Sequence, residues 1–147
     1  MPPDDHDQPG TGTRLIPFWN AVGMNRYLNH REWVADADLL AALFDVEGSV
    51  LIKILADDGR DVAAARLTII DIASFARGEG YRGELTPPAK IVMQIAGEEA
   101  RTRGVPPHDE HVLLALLEAG STEVKGMLAA FGIDRARVLR ELDRTEV

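Results

Sequence analysis

His108-Asp109-Glu110-His111 is the densest run of chemistry-bearing side chains in the sequence. Histidines three residues apart can approach one another on a helical turn, as zinc ligands do, and the two acids between them would add oxygen donors. No third or fourth ligand stands at a recognised zinc spacing. The competing reading is a helix start. Asp109 would cap it, the first-turn acids would suit the helix dipole, and Val112 to Leu117 would supply its apolar run. Capping and packing are expected to win, so no metal and no cofactor are assigned. Glu98-Glu99 raises the possibility of paired carboxylates for acid–base work. Adjacent helix positions point about 100° apart, so one acid is expected in solvent and the other half-buried. Arg135, Arg137, Arg140 and Arg144 read as a solvated face with an Arg137–Glu141 pair one turn apart; docking to an acidic partner is the lesser reading. His6 reads as a solvated residue.

Other signatures of catalysis are missing from the sequence. It has no G-x-x-x-x-G-K-S/T phosphate loop, no G-x-S-x-G, no H-E-x-x-H and no cysteine to act as a thiolate. No catalytic residue is assigned, and the chain is expected not to be an enzyme. Its net charge of -8 repels phosphate backbones and anionic lipid, which argues against nucleic-acid and membrane partners. The absence of cysteine suits a reducing cytoplasm. No apolar run approaches the ~20 residues of a membrane span, and the N-terminus lacks a secretion signal. At 147 residues, with 46% hydrophobic but only 5% aromatic residues, the core must be built mainly from Leu, Ile, Val and Ala, which favours helices.

The elements that would position these residues come in two similar sets. Asp36-Ala37-Asp38-Leu39-Leu40-Ala41-Ala42-Leu43 returns as Glu110-His111-Val112-Leu113-Leu114-Ala115-Leu116-Leu117, at an offset of 74. Val50 to Gly59 returns as Glu123 to Gly132 at an offset of 73, with Asp61 and Asp134 equally spaced beyond the glycines. A duplicated helical unit follows. Residues 1–13, rich in Pro, Gly and Asp, read as a disordered tail, and residues 14–147 as one domain. The first repeat covers about 15–77 and the second about 85–145.

In the first repeat, helices are expected over Leu15–Leu28, Asp36–Asp45, from Ser49 to Gly59, and from Asp61 to about Ala76. Pro17 and Gly23 interrupt the first, Ser49 and Asp61 act as caps, and Gly59 ends the third in a left-handed turn. The fourth would bury Val62, Ala65, Ile69, Ile72 and Ala76, leaving Asp71 in solvent. Gly78, Gly80 and Gly83 around Tyr81 mark the linker. Thr86-Pro87 then starts a helix to Arg103 that buries Ala89, Val92, Ala96 and Ala100. Asp109, Ser121 or Thr122, and Asp134 start the last three. The expected fold is all-α, with two pseudo-twofold related four-helix repeats in one eight-helix bundle and no strand.

Thr86-Pro87-Pro88-Ala89-Lys90, Ala96-Gly97-Glu98-Glu99-Ala100-Arg101, Gly104, Asp109 to Leu117 and Phe131-Gly132-Ile133-Asp134 resemble the N-terminal repeat of Clp ATPases. That pattern runs T-x-x-A, A-x-x-E-A and G, then T-E-H-x-L-L-x-L-L, then a hydrophobic residue, G, a hydrophobic residue and D. The first half resembles a degenerate copy, with Ala35-Asp36-Ala37 where the pattern has T-E-H; in the second copy Asp109 stands where the pattern has threonine. The resemblance implies a substrate- or adaptor-binding domain of a ring-shaped unfoldase. In the ClpC branch it also implies a site for phosphorylated arginine at each T-E-H acid. Those acids map to Glu110 and, in the first repeat, to Asp36, with Asp109 and His111 beside Glu110. A helix start holding a carboxylate suits both halves of this zwitterion: the free N–H groups face phosphate, and the acid faces guanidinium.

The chain is therefore expected to be a non-catalytic, cytoplasmic module that binds protein substrates or adaptors of a Clp unfoldase, including phosphoarginine-marked proteins. It would act as adaptor, decoy or regulator. Tyr81, an aromatic between glycines, is a second candidate contact. The alternatives are a small-molecule-binding helical domain with its pocket between the two repeats, and a structural domain that self-associates.

Overall fold

The structure, a computed structural model, describes residues 15–74 and 84–145. The expected tail with His6, the glycine linker with Tyr81, and Ala76 lie outside the described residues. Eight helices are described. Repeat one contributes α1 (Ile16–Leu28), α2 (Asp36–Leu43), α3 (Val50–Asp57) and α4 (Val62–Ala73). Repeat two contributes α5 (Pro87–Thr102), α6 (Asp109–Ala119), α7 (Thr122–Ala130) and α8 (Arg135–Thr145). The fold is all-α, two four-helix repeats forming one eight-helix bundle.

Short helices of this kind are set by their ends, and most of the ends follow from local chemistry. Ser49 accepts the Ile52 N–H, Asp61 that of Ala64, Thr86 that of Ala89, Ser121 that of Val124 and Asp134 that of Arg137. Gly59 and Gly132 end α3 and α7 at φ +72° and +73°, a conformation that costs glycine little. Pro17 does not break α1, because it sits in the first turn where its missing N–H has no helical acceptor anyway. The expected buried stripe of α5 is present: Ala89, Val92, Ala96 and Ala100 are all sealed from solvent. In α4, Ala65, Ile69 and Ala73 are buried, Val62 and Ile72 half-buried, and Asp71 exposed.

Two helices form the centre. All eight residues of α2 are buried, as are seven of the eleven in α6. They meet each other across the repeat boundary, where α3 also packs on α6 and α8. No named strand occurs among the described residues, but one isolated parallel bridge joins the repeats. Val34 donates to the Glu84 carbonyl at 3.0 Å, and Thr86 donates to the Val34 carbonyl at 2.9 Å.

Candidate functional site

The start of α6 gathers four of the predicted residues, but their roles differ from the sequence reading. His108, not Asp109, occupies the N-cap position, and Asp109 is the first helical residue. Its carboxylate turns away from its own helix and accepts the Val50 N–H at the start of α3, 3.1 Å away in the other repeat. Asp36, the first residue of α2, makes the reciprocal bond, accepting the Ser121 N–H at the start of α7 at 2.6 Å through Oδ2 while Oδ1 accepts the Ala37 N–H of its own helix at 3.0 Å. Both aspartates are buried, at 3% and 5% exposure. The reason is electrostatic: a helix N-terminus with free N–H groups meets each of them across the boundary, and an acid there satisfies a donor and the dipole together.

This symmetry corrects the pairing of the repeats. Asp36 is equivalent to Asp109, not to Glu110, and Ala37 stands where Glu110 does. The third helical residues match as well. Asp38 accepts the Ala35 N–H at 2.8 Å, and His111 Nδ1 accepts the His108 N–H at 2.9 Å. Repeat one therefore has no acid at the position of Glu110, and the carboxylate of Asp36 braces the repeats together.

Glu110 is the acid of this set that reaches the surface, its side chain 12% exposed against 32% for His108. His108 Nδ1 lies 2.5 Å from both Asp109 Oδ1 and Glu110 Oε1. Hydrogen bonds to Asp109 and then Glu110 raise its pKa from 6.5 to about 9, against the burial that lowers it. Burial pushes the Glu110 carboxyl up, but the bond and charge of His108 more than offset this, and its pKa falls below the usual value. The site at neutral pH is thus an imidazolium and a carboxylate side by side at a helix start. His108, Asp109 and Glu110 also offer ligand atoms within 4.8 Å of one another, the one such group among the described residues. His108 keeps its proton across the neutral range, so a metal there would have to displace it. His111, 1% exposed, is tied to this site by the bond its Nδ1 accepts from the His108 N–H.

The other candidates separate as follows. Glu98 is exposed, and Glu99 is half-buried against Arg135, which bonds it at 2.6 Å and holds its carboxyl below the usual range. Arg137 reaches across the boundary to Asp58 at 2.8 Å, a partner the intrahelical pairing with Glu141 did not foresee. Sequence reasoning also passed over His108 as the partner of Glu110, although an i,i+2 His–Glu pair astride a helix start was there to be read. Cavities among the described residues include one of about 380 Å³ within repeat two beside Leu117 and Lys125 and one of about 340 Å³ within repeat one beside Ala21 and Arg66. Both of these lie within one repeat, and the aspartate braces and the packing of α2 on α6 lie at the boundary. No described helix is long and apolar enough to cross a membrane.

The chain shares this all-α, eight-helix fold with Clp N-terminal domains. The chain has a TM-score of 0.68 to the N-terminal domain of Hsp104 from Candida albicans, at 14% identity, covering 88% of this chain and 86% of that one. It has a TM-score of 0.67 to the N-terminal domain of the caseinolytic-protease-associated chaperone ClpD from Arabidopsis thaliana, at 19% identity, covering 92% and 94%. The likeness is one of fold. The sequence matches no protein-family model and no curated protein at significant similarity.

Proposed function

We propose that the chain is a protein-binding module of the Clp N-domain type, acting on substrates or adaptors of a Clp unfoldase as adaptor, decoy or regulator and catalysing nothing itself. The observation that carries this reading is coextension: nearly the whole chain is shared with nearly the whole of two N-terminal domains of chaperones. The cytoplasm is its proposed location, and the net charge of -8 argues against a nucleic-acid partner.

Within this reading the proposed contact is the start of α6, and its ligand is phosphoarginine on a marked protein. The guanidinium end pairs with Glu110 and the phosphate end with the imidazolium of His108 and the first N–H groups of the helix. Both charges are already in place at neutral pH. Asp109, Asp36 and His111 serve this site by fixing its backbone, and Tyr81 is a second proposed contact. Because Ala37 stands opposite Glu110, one site per chain is proposed rather than two.

Calorimetric titration with free phosphoarginine tests the specific reading. Binding at one site per chain is expected, weakened about tenfold or more by Glu110→Ala and by His108→Ala. No binding by the parent would remove phosphoarginine. Failure to retain either casein or arginine-phosphorylated casein would then remove the protein-binding reading itself.

A further inference from the structure

Helix α1 presents an unusual outer face. Ile16 is 51% exposed, Met24 58%, Tyr27 76% and Leu28 60%, four of the seven exposed large apolar residues among those described. Pro17, Asn20 and Gly23 complete this face, which carries no charge. The counterpart helix α5 is an internal control for what the fold alone demands. Its exposed face carries Lys90, Gln94, Glu98 and Arg101, with Ile91 as its one exposed large apolar residue. The repeat architecture therefore does not require an apolar α1.

Two further features say what covers it. Alone among the eight helices, α1 contains no Asp or Glu, in a chain of net charge -8. It is the helix at which a second equally acidic chain meets the least repulsion. Second, Gly23 lies in mid-helix with ordinary φ, and a Cβ added there would meet nothing within 4 Å. Neither backbone strain nor packing in this chain calls for glycine, which lowers helix propensity. Between Asn20, Met24 and Tyr27 it forms a notch that lets another helix approach closely.

We infer that α1 is the contact surface of a homodimer, packed antiparallel on α1 of a second copy with the helices crossing at Gly23. A twofold crossing there is self-complementary, notch on notch with apolar residues alongside, as an isologous interface must be. It sets Tyr27 of each copy opposite Pro17 and Asn20 of the other, at the mouth of the cavity of about 340 Å³. Asn25, Asp45 and Arg66 on that cavity's wall are bonded to one another and offer polar atoms to the phenol. The four apolar side chains expose on the order of 500 Å², so with a polar rim the interface reaches the low end of the standard size, and its Kd falls in the micromolar range.

Sedimentation equilibrium of the full chain, from about 1 µM to about 1 mM, tests this. The parent is expected to pass from monomer to dimer across that range. Tyr27→Glu, at a mostly exposed position, is expected to weaken association by about tenfold or more. Gly23→Leu separates interface from fold: it should raise the thermal midpoint of the monomer while weakening the dimer. Ile91→Glu on α5 should change neither. A parent that stays monomeric throughout would overturn the proposal and assign the face to residues 1–14 or to another protein. So would a dimer that survives both Tyr27→Glu and Gly23→Leu, or one abolished by Ile91→Glu.

Discussion

His108 shows how one side chain ties charge, stability and the proposed site together. Its folded pKa of about 9 lies above the ordinary 6.5, so the proton is held more tightly by the folded chain. That contribution is complete below about pH 6.5 and lost as the pH rises through 9. The lowered pKa of Glu110 acts in the opposite sense, contributing above its usual range and failing as pH falls. His108 is about a third exposed, so solvent screening reduces its effect to about 1 kcal/mol. Urea titrations from neutral pH to about pH 10 should show that loss in the parent and a flat profile in His108→Gln. An equal slope in both would mean that the proton resides elsewhere. Asp109 carries a larger load. Asp109→Ala leaves the Val50 N–H without its acceptor at a buried boundary, with an expected cost of about 2 kcal/mol by chemical denaturation. Asp109→Asn keeps an oxygen there and should cost less. A negligible loss in the alanine variant would show that the cross-repeat bond is not a brace.

At the scale of elements, glycine positions separate conformational need from lack of space. Gly120 ends α6 with φ -66°, which any residue adopts, but an added Cβ would sit 2.5 Å from the Leu116 carbonyl oxygen and 3.0 Å from Val124 Cγ1. Gly120→Ala is therefore expected to lower stability by about 2 kcal/mol through backbone displacement. Gly59→Ala, at φ +72° but with open space around it, should cost about 1 kcal/mol. Thermal midpoints of the two variants check the order. The same contrast separates what is legible in the sequence from what is not. Apolar spacing fixed the buried stripe of α5, and Ser, Asp and Thr before apolar runs fixed most helix starts, because these rest on neighbours in the chain. The one-residue slip between repeats has an equally physical cause. Val112 to Leu117 is uniformly apolar because α6 is surrounded by protein, so no periodicity remained to set its phase against Asp36-Ala37-Asp38. Sequence alone consequently pairs Asp36 with Glu110, where the structure pairs it with Asp109. The bonds that reveal the true register, Asp36 to Ser121 and Asp109 to Val50, join residues far apart in sequence, where local patterns carry no information.

For the whole molecule, the duplication that makes each repeat recognisable does not make either one independent. A repeat removed from its partner would expose the faces of α2 or α6 that meet across the boundary, in helices whose Leu39, Leu43, Leu113 and Leu116 are at most 1% exposed in the intact chain. Fully burying one such side chain is worth about 1.5–3 kcal/mol, so losing several exceeds the few kcal/mol by which a domain of this size is stable. The separated repeat would also lose the partner of each brace, as well as the Arg137–Asp58 pair. A fragment of residues 84–147, though it contains the better-preserved repeat and the proposed site, is thus expected to be largely unfolded by circular dichroism and to bind nothing at that site. The intact chain should melt in a single transition, its calorimetric and van't Hoff enthalpies agreeing. A folded fragment with an intact α6 start would instead mean that the repeats are separable units and that the exchanged aspartates merely align them. Two resolved transitions in the parent would mean the same. If the single transition is observed, destabilising repeat one by Asp36→Ala must weaken the α6 site at temperatures where the parent still binds, although Asp36 belongs to the other repeat.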